Sequence, residues 1–319
     1  MPPTNSQLHT HYSLWSRPAS PVSFHLQTRD IEILRTVFLH RFLRPRHIQV
    51  VVGGSIFNLA RRCRLLWQHR FLERPLAQRP LRLLTDEIVY GLGKKGASLL
   101  AQQFPELRIA SFDWTESPGK QIGWPYIDHQ LGIATFMVSL AKATQVAGTT
   151  LKWDGHSNRR QHHLKLGSGD HLLPDAYFQI VLKSGKVIHN CLEYDRQSVS
   201  LNRMKRRYDT YCNWWKEKMA ERVQQIASKS RSSIRLAPGE AFRVLTVTVR
   251  EQHMNSLRRI AQSIGRDRNH QCSWKGLMFT HSTAFGLDAP NQILDPIFRY
   301  ADDERATTLI PRRNQLDQL

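Results

Sequence analysis

Cysteine is scarce in this 319-residue chain: Cys63, Cys191, Cys212 and Cys272 are the four, with no C-x-x-C pair among them. Each lies in an apolar stretch, so they read as reduced core residues, and neither a disulfide framework nor a cysteine-based zinc module is expected. No run of eighteen apolar residues occurs, and no charged stretch followed by an apolar one opens the sequence. A membrane span and a secretory leader are therefore not expected. Acidic residues are also few, 26 Asp+Glu against 46 Lys+Arg, which leaves a formal net charge of +20. A positive field of that size suits nucleic acid or an anionic membrane surface. Without a membrane signal, the expectation is a cytoplasmic protein whose partner is double-stranded DNA, with no membrane partner.

What is present is enough apolar sequence, 40% of residues, to bury a core in each of two domains. Residues 1–27 are rich in Pro, Ser, Thr, Gln and His without sustained periodicity, and read as a disordered or loosely attached arm. From Thr28 the apolar positions Ile31, Leu34, Val37 and Phe38 mark one face of a helix, and a short second helix is expected from Pro45. After the Gly53-Gly54 turn, Ser55 is a plausible N-cap for a third helix with Ile56, Leu59, Cys63 and Leu66 on one face. Asn58, Arg61, Arg62 and Arg64 fall on its other sides.

Glu87 to Leu92 reads as two short strands joined by a loop, and Gly93-Lys94-Lys95-Gly96 opens a closing helix. Three helices, a β-ribbon and a closing helix match a winged helix-turn-helix over residues 28–106, whose third helix enters the major groove. Residues 1–104 carry 15 Lys+Arg against 5 Asp+Glu, half of the chain's net charge. The DNA-contacting candidates are Asn58, Arg61, Arg62 and Arg64 for bases or phosphates, with Lys94 and Lys95 on the flanking backbone.

Residues 107–125 read as a linker and 126–300 as an α/β domain, with a flexible polar tail over 301–319. A helix is expected from Ile127 to Thr144. Strands follow at Leu151–Asp154, Ala176–Leu182, Val187–Asp195, Ala241–Val249 and Leu277–His281, with helices at Ser198–Ser228 and Glu251–Ile264. That alternation, preceded by a hairpin, points to a mixed sheet, an α/β (α+β) class. The histidines His156, His162, His163 and His171 lie in a polar segment without structural-zinc spacing, and read as a mobile loop.

Two acidic motifs carry the chemistry: Pro174-Asp175-Ala176 and Glu193-Tyr194-Asp195-Arg196. If Lys183-Ser184-Gly185 is a three-residue loop with Gly185 left-handed, Asp175 faces Glu193. In that register Ala176, Phe178, Ile180 and Leu182 share a face with Ile188, Leu192 and Tyr194, while Asp175, Glu193 and Asp195 take the other. Carboxylates held together need a cation, so the three are candidate metal ligands, with Asp154 a further one. On the following helix Leu201, Met204, Tyr208, Tyr211, Trp215 and Met219 form an apolar stripe; Arg203, Arg206 and Arg207 are expected to point away from it. Lys205, at the border, is either a surface cation or a side chain reaching back to the acids.

The order of these motifs resembles the replication-relaxation family of plasmid and mobile-element proteins. The residues that carry the resemblance are Arg29-Asp30 with Ile33-Leu34, Val89-Tyr90-Gly91-Leu92-Gly93-Lys94-Lys95-Gly96, His129-Gln130-Leu131, Trp153, Pro174-Asp175-Ala176, Leu192-Glu193-Tyr194-Asp195-Arg196, Lys205 with Tyr208, and Val244 to Val249. The resemblance implies a DNA-binding protein of plasmid replication and DNA relaxation, whose C-terminal domain is similar to the PD-(D/E)xK nuclease core. In that core Asp175 and Glu193 would bind Mg²⁺, while Asp195 stands where the core's lysine is expected. Three outcomes stay open: Lys205 takes the lysine's role, Asp195 is a third metal ligand, or the domain binds DNA without cutting it. The function readings are accordingly a DNA-binding replication or mobilisation protein, a Mg²⁺-dependent nicking endonuclease using Asp175, Glu193, Asp195 and Lys205, or a winged-helix transcriptional regulator. A relaxase or replication initiator is a candidate partner, and a homodimer a candidate assembly.

Overall fold

A computed structural model describes residues 14–81, 87–107, 109, 122–156, 162–166, 168–223, 236, 240–267 and 276–310. The chain divides into two compact units, one running to Trp124 and the other from Pro125, with Leu39–Arg41 grouping with the second. No described helix is long and apolar enough to cross a membrane.

The first unit runs α1 (Thr28–His40), β1 (Phe42–Leu43), α2 (Pro45–Val52), α3 (Ile56–Gln68), β2 (Leu72–Glu73), β3 (Tyr90–Leu92) and α4 (Lys94–Gln103). Its core follows the helical spacing: Leu34, Val37 and Phe38 of α1 and Leu59, Cys63 and Leu66 of α3 are buried. The ribbon differs from expectation. Tyr90–Leu92 is one strand rather than two, and it lies between β1 and β2, with Phe42 opposite Gly91 and Leu72 opposite Leu92. Two-residue strands such as Leu72–Glu73 are too short to show a period in sequence. Gln78 closes the connection by bonding both the N–H and the carbonyl of Val89, at 2.8 and 2.9 Å.

The expected loose arm is also corrected from residue 14 onward. Arg17 donates to the Trp67 carbonyl at 2.7 Å and pairs with Glu73 at 2.6 Å, and Phe24 stacks on His69 at 4.8 Å. Such contacts come from single residues, so aperiodic sequence gives no sign of them. Residues 1–13 lie outside the described residues.

The second unit is a seven-stranded mixed sheet in the order β12-β11-β10-β9-β8-β7-β4. Its strands are β4 (Thr150–Lys152), β7 (Ala176–Val181), β8 (Val187–Asp195), β9 (Ala241–Thr248), β10 (Leu277–His281), β11 (Phe298–Tyr300) and β12 (Ala306–Thr307). Strands β8, β9 and β10 are parallel neighbours, and their crossovers contain α6 (Leu201–Val223) and α7 (Glu251–Asp267). Crossovers of one hand in a monotonic strand order put both helices on one face. The other face is covered by α5 (Trp124–Ala147), whose Phe136, Met137 and Leu140 pack on Phe178, Ile180 and Leu192. The central strand β9 is buried along its whole length, as a parallel strand covered on both faces must be.

Two boundaries move. Helix α5 starts at Trp124, inside the expected linker, of which residues 110–121 lie outside the described residues. The expected flexible tail is folded as far as residue 310: β12 pairs with β11, and Leu309 is fully buried in the core. The histidine segment is likewise more than a loop, since β5 (Leu164–Lys165) and β6 (His171–Leu172) form a hairpin whose leucines pack under α6.

Gly132 on α5 lies against the Tyr194 ring, where an added Cβ would clash with the ring carbons and the hydroxyl. Gly132→Ala is therefore expected to destabilise the second unit by about 1–3 kcal/mol despite alanine's better helix propensity. A urea midpoint unchanged or raised would contradict this tight approach.

Candidate functional site

The three-residue loop forms as its residues dictate. Gly185 takes φ +82°, its N–H donates to the Leu182 carbonyl at 2.9 Å, and the Leu182 N–H donates to the Lys186 carbonyl at 2.9 Å. The ladder runs from Val181 opposite Val187 to Ala176 opposite Leu192, which sets Asp175 beside Glu193. Along β8 the side chains alternate, with Ile188 and Leu192 toward α5 and Cys191, Glu193 and Asp195 toward α6 and α7.

Each acid is already engaged. Glu193 Oε1 accepts from Arg207 Nη2 and from the Tyr211 hydroxyl, both at 2.5 Å and both from α6. Arg207 also donates to the Leu173 carbonyl at 3.2 Å. Asp195 Oδ2 lies 2.7 Å from His253 Nε2 on α7, and its Oδ1 accepts the Gln197 N–H at 2.9 Å. Asp175 turns out of the pair: Oδ2 accepts the Tyr194 N–H at 2.9 Å and Oδ1 lies 3.3 Å from His129 Nε2 on α5. Burial raises the Glu193 carboxyl above its usual range, Arg207 pulls it back, and Asp175 adds to the rise. For Arg207, burial works against the charge, but Glu193 more than offsets it and holds the guanidinium above its ordinary value.

Arg207 is a correction to the sequence reading, which had it pointing away from the sheet. It lies three residues after Met204 and four before Tyr211, at the edge of the buried stripe, and that spacing was the available signal. Leu201 is exposed and Trp214 fully buried, so the stripe is also rotated from the expected one. Lys205 is half-buried at the border.

A Mg²⁺ ion needs several oxygen ligands in near-octahedral array. Among the described residues no group of three or more His, Cys, Asp or Glu is placed to hold a metal. The acids present do not fit one, because Glu193 is neutralised by a guanidinium, Asp195 is bound by His253, and Asp175 turns to α5. Asp154 is held by His162 at 3.0 Å.

On α3 the exposed residues are Phe57, Asn58, Arg61 and Arg64, which form a continuous face at helical spacing. Phe57 is 83% exposed, and the sequence reading passed over it. Arg62 is not part of that face. Its Nε and Nη2 grip the fully buried Asp30 carboxylate at 2.6 and 2.5 Å, and its guanidinium lies 4.4 Å from the Phe24 ring centre. Lys94 and Lys95 are exposed at the start of α4.

The sequence profile described as replication-relaxation matches residues 34–229. The chain belongs to the replication-relaxation family. No curated protein and no solved structure matches it. In this replication-relaxation protein the motifs of α5, β7 and β8 are joined in one structural knot. His129 meets Asp175, Gly132 makes room for Tyr194, and Arg196 holds Asp128 while donating to the Pro125 carbonyl at 2.9 Å. Residues far apart in sequence thereby fasten the N-terminal end of α5 to the ends of two strands.

Proposed function

We propose that this replication-relaxation protein binds double-stranded DNA through its first unit and acts in the replication or relaxation of a plasmid or mobile element. The order of helices and the three-stranded sheet support a winged helix-turn-helix reading of this unit, in which α3 would be the reading helix. The observation that carries the reading is the exposed face of α3. A phenylalanine left in water forgoes roughly 1.5–3 kcal/mol of burial, which a partner recovers. Around it stand the side chains that recognise bases: Arg61 and Arg64 suit guanine, Asn58 suits adenine, and the Phe57 ring suits a thymine methyl. Lys94 and Lys95 suit the flanking phosphates. The engagement of Glu193 by Arg207 and Tyr211, and of Asp195 by His253, favours this reading over a Mg²⁺-dependent endonuclease.

The test is duplex DNA binding followed by fluorescence anisotropy over a salt series. The double variant Arg61→Ala/Arg64→Ala is expected to weaken binding at least about tenfold and to reduce the salt slope by about two. Unchanged affinity and slope would remove α3 as the reading helix.

A further inference from the structure

On the α6 side of the second unit's sheet, Tyr177 and Gln179 stand two apart on β7, and His189 lies opposite Gln179 on β8. Residues so placed share one face. The Tyr177 hydroxyl lies 2.5 Å from His189 Nδ1, and Gln179 Nε2 donates to the same oxygen at 3.2 Å. The other ring nitrogen of His189, Nε2, lies 2.9 Å from Glu240 Oε2 just before β9. A carboxylate accepts, so Nε2 carries the ring proton, Nδ1 is left as acceptor, and the phenol O–H donates to it. His189 is buried and Tyr177 is half-buried, and a cleft beside Tyr177 is lined by Trp153, His156 and His162 and, from α5, by Gln130, Ile133 and Ala134.

A hydroxyl in hydrogen-bond reach of an imidazole that a carboxylate orients is the arrangement that activates a nucleophile. A purely structural tyrosine at a sheet face needs one partner for its hydroxyl. Here the oxygen has a base to take its proton and, in Gln179, a donor to stabilise the negative charge that follows. None of these four residues takes part in the Glu193 and Asp195 pairs, so the relay is separate from them.

We propose that Tyr177 is a nucleophile for phosphodiester transfer on DNA, with His189 as its general base and Glu240 as the residue that orients His189. The proposal takes its substrate from the DNA-binding reading and rests on it in that respect. The phenol oxygen forms a bond to phosphorus while the bond from phosphorus to the leaving deoxyribose oxygen breaks. The phenol proton passes to His189 Nδ1, and the leaving oxygen takes a proton from solvent. One phosphodiester is exchanged for another, so the strand end is held on Tyr177, and reversal reseals it without a nucleotide or a metal. Opening and resealing one strand relaxes supercoils, which fits the family's description as replication-relaxation.

The experiment incubates the full chain with randomised duplex and single-stranded DNA in EDTA and stops the reaction with SDS. Wild-type protein is expected to give a protease-sensitive covalent adduct, with a nucleotide mass on the Tyr177 peptide by mass spectrometry. Tyr177→Phe is expected to abolish the adduct, and His189→Gln to lower it at least about a hundredfold, with DNA affinity unchanged. Wild-type protein that binds DNA but forms no adduct overturns the proposal alone, as does an adduct on another residue or nicking that requires Mg²⁺. Wild-type protein that fails to bind DNA overturns the DNA-binding reading together with it. The peptide mass makes the outcome independent of whether either variant folds.

Discussion

Arg207→Ala is expected to lower the stability of the second unit by about 3–5 kcal/mol at neutral pH, the cost of leaving a buried charge without its partner. Glu193 is 4% exposed and holds its carboxylate against Arg207 and Tyr211. Truncating the arginine leaves a phenol as the only described donor to Oε1. The pH dependence gives the cause. Burial already raises the Glu193 carboxyl with Arg207 in place, and removing the cation raises it further. A carboxyl that binds its proton more tightly folded than unfolded gains stability as the pH falls toward the ordinary carboxylate range. The deficit of the variant is therefore largest above the raised value and shrinks on acidification. Adding Glu193→Gln to Arg207→Ala is expected to recover part of the loss at neutral pH. Urea midpoints at several pH values check both, and a deficit independent of pH would mean that lost packing, not an unpaired charge, is the cause.

Arg62→Ala is expected to cost the first unit a comparable ~3–5 kcal/mol, whereas Arg61→Ala, one residue earlier, leaves stability nearly unchanged. Asp30 is fully buried, and Arg62 clamps it with two parallel bonds while also reaching the His25 carbonyl at 2.5 Å. Without Arg62 the Asp30 carboxylate keeps the Gln27 N–H at 2.7 Å and loses its counter-charge. Arg62→Lys is expected to restore only part, because an ammonium cannot match a carboxylate with two parallel donors. Thermal unfolding of the three variants separates the roles. An Arg61→Ala loss as large as that of Arg62→Ala would show that the two residues do not divide between surface and core.

These two arginines show where sequence reasoning stops. Arg62 lies three residues after Leu59 and four before Leu66, and Arg207 stands in the same relation to Met204 and Tyr211. Helical spacing alone sets both outside the apolar stripe of their helix. Spacing puts each at the border of a buried stripe, where the environment depends on what another element brings. For Arg62 that is Asp30 of α1, and for Arg207 it is Glu193 of β8. The relay of Tyr177, His189 and Glu240 was missed for a related reason, since it joins residues up to 63 positions apart whose separate neighbourhoods carry no motif.

By itself the sequence determined helices α5, α6 and α7 and strands β4, β7, β8, β9 and β10 of the second unit, the three-residue turn at Gly185 and the register that sets Asp175 beside Glu193. Those features are local: a period of two, a period of 3.6 and the conformational freedom of one glycine act within a few residues. Only the tertiary structure decided that the acids are paired rather than open to a metal. A buried carboxylate takes whichever cation or donor the neighbouring helices place within hydrogen-bond distance. Here Arg207 and Tyr211, His253 and His129 arrive from α6, α7 and α5. The charge balance of the site is set by how three helices pack on one sheet.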